Sequence, residues 1–140
     1  MVLGISLTNE GDVFPNPSLY RTLIGSLQYL TYTRPNIAFV VNKLSQYLSI
    51  PKVQHWTACK RLLRYIKGTI GLGLWFSSSI GDLSLKVYTD ADHAGYKETR
   101  RSTSGFSVFL GNNLIVWGSK KQSVVVRLVG EAEYRAVALY

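Results

Sequence analysis

The sequence predicts an α+β protein in which a helical first half is followed by a sheet-forming second half. Three observations support this. Apolar residues recur at helical spacing between residues 17 and 69, and from residue 83 they alternate with other residues as they do in strands. Between these stretches, glycines and serines interrupt short apolar runs. The chain has 140 residues, 46% of them hydrophobic, which is enough for one domain or two small ones.

Residues 1–16 show little periodicity and contain Gly4, Gly11 and Pro15, which predicts a loose leader. Asn16, Pro17 and Ser18 are typical of a helix start, because Pro17 is tolerated at or before the first turn and Ser18 can cap it. We therefore expect the first helix to start here.

Three helices are predicted within residues 17–69. The segment 33–36 ends the first, and Ile50 with Pro51 ends the second. The third runs from about residue 53 to residue 67 and stops at Gly68. The apolar residues expected on the inner faces are Leu19, Leu23, Leu27 and Leu30, then Ile37, Val41, Leu44 and Leu48, then Trp56, Cys59, Leu63 and Ile66.

Residues 70–82 are predicted to connect this helical unit to a second unit, residues 83–140. The connection includes a short strand-like run at 72–76. Strands are expected at 83–90, 106–110 and 114–117, with a hairpin turn at 111–113, because glycine and asparagine accept positive φ. Glu, Ala, Arg and Leu predict a final helix from about residue 130 to residue 140.

The net charge of +8 is unevenly distributed. No Asp or Glu occurs from Leu19 to Ile80, and the third helix places Lys60, Arg64 and Lys67 on one face with Arg61 beside them. A basic unit without acidic partners predicts contact with an anionic partner, most often nucleic acid. The alternative is an ordinary solvated face that keeps the protein in solution.

Cys59 is the only cysteine, so a disulfide framework and a CxxC metal site are both excluded and a reducing compartment is favoured. The first seven residues lack the basic start and long apolar core of a signal peptide. Charged or polar residues interrupt every apolar run, so no membrane span is predicted. We expect an intracellular protein, in cytoplasm or nucleus, without a membrane partner.

Acidic residues occur where a strand ends and where a helix begins. Asp90 ends a β-branched strand, Asp92 follows two residues later, and Glu131 and Glu133 lie in the last predicted helix. A carboxylate at a strand end that faces a carboxylate on a packed helix can hold divalent metal ions against a phosphodiester. The alternatives are a turn pair after the strand and acidic residues that complement the helix dipole.

Glu131 and Glu133 lie about 200° apart on a helical wheel, so only one of them can face the sheet. We expect Tyr134, Val137 and Ala138 to mark the buried side of the helix, which favours Glu133. Elsewhere, Arg100 and Arg101 precede three hydroxyl residues and could bind phosphate or form a solvated loop. His93 is expected to be a surface or packing residue.

Several motifs, in this order, resemble the Pol polyprotein of copia-type LTR retrotransposons. They include Tyr-Thr-Asp-Ala-Asp at 88–92, Trp-Gly-Ser-Lys-Lys-Gln at 117–122 and Glu-Ala-Glu-Tyr at 131–134. The others lie at 20–30, 33–38, 62–69 and 100–105, so the resemblance covers nearly everything after residue 17.

This resemblance implies that residues 17–69 are similar to the thumb region of a reverse transcriptase. Residues 83–140 would be the opening half of a ribonuclease H-like domain, with a mixed β-sheet and one helix. Such domains cut the RNA strand of an RNA–DNA hybrid with two metal ions, magnesium (Mg²⁺) being the implied cofactor. Asp90 matches the family's first metal-binding carboxylate and Glu133 its second. The implied partners are the hybrid and the rest of the Pol polyprotein.

The sequence departs from the family pattern at positions that bear on catalytic activity. Two further aspartates of the family's site would follow Tyr140, and the polymerase aspartates would precede residue 1. Residues 128–130 replace the usual Ser-Ser-Thr, and His93 stands where tryptophan is common. We expect the chain alone to bind magnesium weakly and to be inactive, with an unpaired sheet edge and an uncovered sheet face.

Two other functions remain open. The first is a non-catalytic nucleic-acid-binding module that uses the basic residues of the third helix. The second is a secreted effector, because Arg61-Leu62-Leu63-Arg64 fits the R-x-L-R pattern of host-translocated pathogen effectors. No signal peptide precedes that pattern in the sequence.

Overall fold

The computed structural model describes residues 7–78, 83–92, 95 and 99–139, which belong to two compact units, Met1–Gly73 and Leu74–Tyr140. The first unit contains α1 (Pro17–Leu30), a 3₁₀ turn (Pro35–Ile37), α2 (Ala38–Ser45) and α3 (Val53–Gly68). The second contains β1 (Leu85–Ala91), β2 (Thr103–Leu110), β3 (Asn113–Lys121) and α4 (Val129–Leu139). The predicted α+β class is confirmed.

Helix α1 begins where the sequence predicts, but with a different cap. The side-chain oxygen of Asn16 accepts the backbone N–H of Leu19 at 3.0 Å, so Asn16, and not Ser18, is the N-cap. Pro17 occupies the first turn, where its missing N–H costs no helical hydrogen bond.

The buried stripe of α1 differs from the predicted row of leucines. Tyr20, Ile24 and Leu27 are buried, whereas Leu19 is 46% exposed. The Tyr20 hydroxyl donates to the carbonyl oxygen of Leu44 at 2.9 Å, so the ring enters the core with its polar end bonded. Burial raises the pKa of this phenol well above its usual range.

The segment before α1 is packed, although the sequence predicts a loose leader. Leu7 and Phe14 belong to the core of the helical unit, and the Phe14 ring stacks on Trp56 with centroids 4.7 Å apart. Val13 forms an isolated antiparallel bridge with Lys52. Two apolar side chains and a backbone bridge hold this segment against the start of α3.

A buried histidine joins the same segment to α3. The Nδ1 atom of His55 lies 2.9 Å from the N–H nitrogen of Lys52, and Nε2 lies 2.9 Å from the carbonyl oxygen of Thr8. Because the amide must donate and the carbonyl must accept, Nδ1 is the acceptor and Nε2 carries the proton. The ring also stacks on Tyr47 at 3.8 Å, so His55 is a core residue.

The described strands form an antiparallel sheet in the order β1-β2-β3. The mixed sheet implied by the family resemblance is therefore wrong for this part of the chain. Gly111, at φ 57°, makes the β2–β3 turn as predicted. Residues 72–78 contain no strand, although the sequence suggests one; Trp75 there is 89% exposed and so gains nothing from packing.

Helix α4 packs against β1 and β2 through small side chains. Ala91, Val126, Ala132 and Ala136 form the buried cluster of this unit. Gln122 strengthens the contact, since its Nε2 donates to the Ser104 hydroxyl at 2.9 Å and to the Ala132 carbonyl oxygen at 3.0 Å.

The predicted buried side of α4 is wrong: Tyr134 is 80% exposed, Val137 is 63% exposed and Ala138 is also exposed. Alanine permits the close approach of helix and sheet that larger residues would prevent. The sheet face beyond α4 stays open, with Leu85 64% and Val87 49% exposed. Within the described residues, no helix has the length and apolar character needed to cross a bilayer.

Candidate functional site

Asp90 lies one residue before the end of β1 and is exposed. Its register partner on β2 is Gly105, which has no side chain to cover the carboxylate. One carboxylate oxygen accepts the N–H of Ala91 at 2.8 Å. The structure thus places the predicted first metal ligand at a strand end with its carboxylate open to solvent.

Asp92 has a structural role. Its N–H donates to the carbonyl oxygen of Thr103 at 3.0 Å, and its carboxylate accepts the N–H of Thr103 in return. The carboxylate therefore replaces a backbone carbonyl in the last rung between the two strands. The sequence, which shows only that Asp92 follows Asp90 by two residues, does not anticipate this bond.

Glu131 is engaged at the start of α4. Its carboxylate accepts the backbone N–H of Arg127 at 3.1 Å and pairs with the Arg135 guanidinium at 3.1 Å. The hydrogen bond from Arg127, followed by that from Arg135, holds the pKa of Glu131 below its usual range. Glu131 is thus committed to stabilising the first turn of the helix.

Glu133 is exposed and makes no hydrogen bond or ion pair with any residue that the structure describes. The argument from Tyr134 and Val137 no longer supports the choice of Glu133 over Glu131. The engagement of Glu131 by two arginines supports it instead. The choice of Glu133 as a metal ligand stays a prediction.

The structure brings together the elements that carry Asp90 and Glu133, but the Asp90 side chain leaves β1 on the sheet face opposite α4. Ala91 packs on α4, and successive side chains of a strand project to opposite faces. Among the described residues, no three His, Cys, Asp or Glu side chains group closely enough to hold a metal ion. His93 lies outside the described residues.

The basic residues of α3 form one exposed surface, which we call the α3 ridge: Lys60, Arg61, Arg64 and Lys67. On a helical wheel Lys60, Arg64 and Lys67 fall within about 60°, opposite the stripe centred on buried Leu62. Lys60 and Lys67 are about 10 Å apart along the axis. The predicted amphipathic character of α3 is confirmed, and the ridge faces away from the core.

Arg100 and Arg101 lie in the segment before β2, in the second unit. Arg100 is exposed and has a positive φ of 50°, which is uncommon for a residue with a Cβ. Arg101 is half-buried. Their phosphate contact stays a prediction, and of the two only Arg100 presents a largely open side chain.

Sequence reasoning missed two features of the second unit. The buried amide of Gln122, which joins sheet and helix, follows a lysine pair and gives no periodic signal. A pocket beside Tyr88 and Phe109 was also missed, although Lys86 and Tyr88 alternate with apolar residues along β1 and so share one face.

Comparison with known proteins gives several extended matches. The chain is 48% identical over 130 residues to the Retrovirus-related Pol polyprotein from transposon RE2 of Arabidopsis thaliana, covering 93% of the chain and 9% of that polyprotein. It is 46% identical over 126 residues to Uncharacterized mitochondrial protein AtMg00810 of the same plant, covering 90% of the chain and 52% of that protein.

The chain is also 43% identical over 120 residues to Secreted RxLR effector protein 161 of Plasmopara viticola, covering 85% of the chain and 84% of that protein. No family model and no solved structure matches the chain. The chain thus spans only a small part, 9%, of the Pol polyprotein from transposon RE2 and about half, 52%, of the mitochondrial protein.

Proposed function

The chain belongs to the Pol polyproteins of copia-type retrotransposons, and we propose that it spans the end of a reverse transcriptase and the opening of a ribonuclease H-like domain. The thumb-like part would be the helical unit, and the nuclease part would begin with β1. The rest of the polyprotein is the proposed partner, and an RNA–DNA hybrid is the proposed substrate.

The observation that carries this proposal is the packing of Ala91 on Ala132 and Ala136. This contact joins the acidic end of β1 to a helix that carries Glu133 in its first turns. Magnesium ions are held by carboxylate oxygens, and this contact sets the strand that carries Asp90 next to the helix that carries Glu133, although the Asp90 side chain itself projects to the other face of β1. The exposed Leu85 and Val87 also support the proposal, because an apolar sheet face of this kind is normally covered by further structure.

The carboxylates of the described residues do not fit a two-magnesium site by themselves. Such a site needs several oxygen ligands that converge on one point. Asp90 and Glu133 are the two proposed ligands, Asp92 is bonded to Thr103, and Glu131 is bonded to Arg127 and Arg135. We therefore propose that this chain alone does not cut nucleic acid, and that other parts of the polyprotein supply the remaining ligands.

The test is cleavage of a labelled RNA–DNA hybrid in magnesium by this chain and by a version extended through the downstream reading frame. We expect cleavage only by the extended version, and its loss on Asp90→Asn. Asp92→Asn is the matched control, because an asparagine oxygen can still accept the N–H of Thr103. Magnesium-dependent cleavage by the unextended chain would overturn the proposal of inactivity.

The α3 ridge supports a second function, non-catalytic binding of nucleic acid. Its four cations are exposed on a helix whose sequence contains no acidic residue. Each phosphate that a protein neutralises releases counterions, so binding weakens as salt rises. We propose that the ridge contacts the phosphate backbone without reading sequence.

This binding is tested by measuring affinity for a labelled hybrid over a range of salt concentrations. For Arg64→Ala with Lys67→Ala, we expect the slope of log affinity against log salt to fall by about 2. Lys120→Ala with Arg135→Ala removes the same charge from the second unit and should change the slope less. Equal slopes for the two double variants would show that net charge, and not the ridge, is responsible.

The similarity to the secreted RxLR effector protein favours an effector function as an alternative. In this structure Leu62 of the Arg61–Arg64 motif is fully buried in α3, so the motif is part of a packed helix. We propose an intracellular location, with Arg61 and Arg64 serving the α3 ridge. Export of the protein by a secretory host without an added signal sequence would favour the effector function instead.

A further inference from the structure

The second unit has a pocket of about 450 Å³ on the sheet face opposite α4. Its lining residues are Lys86, Tyr88, Ser107, Phe109, Gly111 and Asn112. The register explains its position, because Lys86 and Tyr88 alternate along β1 with the residues that share the face of Ala91. The pocket is largely open to solvent, so a ligand would be held mainly by the side chains at its floor.

Two aromatic rings form one side of the pocket. The centroids of Tyr88 and Phe109 are 5.8 Å apart with an interplanar angle of 88°, which is an edge-to-face contact. Tyr88 remains 60% exposed despite this contact. A planar ligand therefore has room to stack on the tyrosine ring while Phe109 fixes the orientation of that ring.

Polar groups surround the rings. Lys86 lies two residues before Tyr88, about 7 Å along the strand, and makes no hydrogen bond or ion pair with any described residue. The Ser107 hydroxyl and the Asn112 amide offer a donor and acceptors beside the rings. The acidic residue on the same face, Asp90, lies on the other side of Tyr88. The lysine end of the pocket is thus the end suited to a phosphate.

The β2–β3 hairpin also holds the segment around Ser77. The Asn113 side chain accepts the Ser77 N–H at 2.7 Å and donates to the Ser77 carbonyl oxygen at 3.1 Å. These two hydrogen bonds fix residue 77 against the turn that includes Asn112. Trp75, two residues earlier, is 89% exposed. Its ring is a further exposed aromatic surface of the second unit on which a base could stack.

We propose that this pocket binds an unpaired base of a single-stranded nucleic acid, stacked on Tyr88, with the adjoining phosphate at Lys86. Aromatic rings beside cations are the recurring means of holding unpaired bases, because every base has a π-face. Lys86, the charged residue in the lining of the pocket, favours an anionic ligand over a cationic one. The pocket uses neither the α3 ridge nor Glu133.

The test compares the affinity of the full chain for a short labelled oligothymidylate and for an abasic strand of the same length, which keeps the phosphates and lacks the bases. Wild type should bind the base-containing strand at least about fivefold more tightly. Tyr88→Leu should remove that preference, and Tyr88→Phe should keep it. Tyr134→Leu is the matched control, because Tyr134 is 80% exposed on α4, away from the pocket.

Three outcomes would overturn the proposal. The first is equal binding of the two strands by wild type. The second is an equal loss of base preference in Tyr88→Leu and Tyr134→Leu, provided that circular dichroism shows both to be folded. The third is binding of free thymidine monophosphate as tightly as the strand, which would make the pocket a mononucleotide site.

Discussion

The guanidinium of Arg34 donates two hydrogen bonds to Thr69. Nη1 donates to the Thr69 carbonyl oxygen at 3.0 Å and Nη2 donates to its hydroxyl at 2.8 Å. The same hydroxyl donates to the carbonyl oxygen of Tyr65 at 2.8 Å. Arg34, which is 5% exposed, therefore ties the turn after α1 to the C-terminal end of α3, where the helix dipole favours a cation.

Replacing Arg34 should destabilise the helical unit. We expect Arg34→Ala to lower the free energy of unfolding by about 2–4 kcal/mol, because three hydrogen bonds from a buried cation are lost, two to Thr69 and one to Asn36. Arg21 is the matched control, since its guanidinium is likewise hydrogen-bonded, to two backbone carbonyl oxygens, but is exposed. Arg21→Ala should cost about 1 kcal/mol or less. Urea denaturation measures both, and equal losses would contradict the importance of burial.

Two glycines of the sheet should respond oppositely to alanine. A Cβ on Gly118 would lie 2.5 Å from the Cε1 atom of Phe106, whereas the nearest neighbour of a Cβ on Gly105 is 3.9 Å away. We expect Gly118→Ala to cost about 1–3 kcal/mol, because the ring must move. Gly105→Ala should be neutral or slightly stabilising, since alanine restricts the unfolded chain. Thermal unfolding of the two variants tests this, and equal stabilities would contradict it.

Glu131 should make the stability of the second unit depend on acid pH. Its pKa in the folded protein is lowered, so its contribution is complete above the pKa of the unfolded chain and disappears as pH falls through the folded-state pKa. Glu131→Gln should therefore lower the melting temperature near pH 7, and the difference from wild type should shrink near pH 3. Glu133→Gln, on the same helix, should show neither effect. A difference independent of pH would contradict the assignment.

Cys59 should be unreactive in the folded protein. The thiol is fully buried, and burial raises its pKa to about 11. Relative to a thiol at 9.0, this shift lowers the thiolate fraction near pH 8 by about a hundredfold, and access is also blocked. We expect negligible reaction with a disulfide reagent until urea unfolds the helical unit, and full reaction afterwards. Rapid stoichiometric reaction of the native protein would show that α3 opens readily.

Helix positions could be predicted where proline and glycine mark the helix ends. The sequence predicts helix α3 from about residue 53 to residue 67, because Pro51 and Gly68 bracket a two-sided pattern, and the helix spans Val53–Gly68. The inner face of α4 could not be predicted, since Ala132 and Ala136 carry little weight in a hydrophobic pattern. Their burial depends on a close approach to the sheet that only the folded structure specifies.

The same limit applies to the candidate site. The order of the residues predicts that Asp90 ends a strand and that an acidic helix follows, and both elements are present. The sheet face to which the Asp90 side chain projects depends on the strand register and on the contact of Ala91 with α4. The bond that occupies Asp92 comes from Thr103, eleven positions away, so local pattern carries no signal of it. The pair of Glu131 with Arg135, four positions on, does follow from helical spacing.

The packing of Leu7 and Phe14 changes where this protein can be divided. The helices alone do not enclose their core, because residues 7–14 cover the start of α3 and bury part of it from solvent. A fragment that begins at Pro17 would expose the ring of Trp56 and the imidazole of His55. A single peptide-bond cleavage between Phe14 and Pro17 should instead leave a nicked pair that stays together, so that the segment and the helices could be supplied as separate chains.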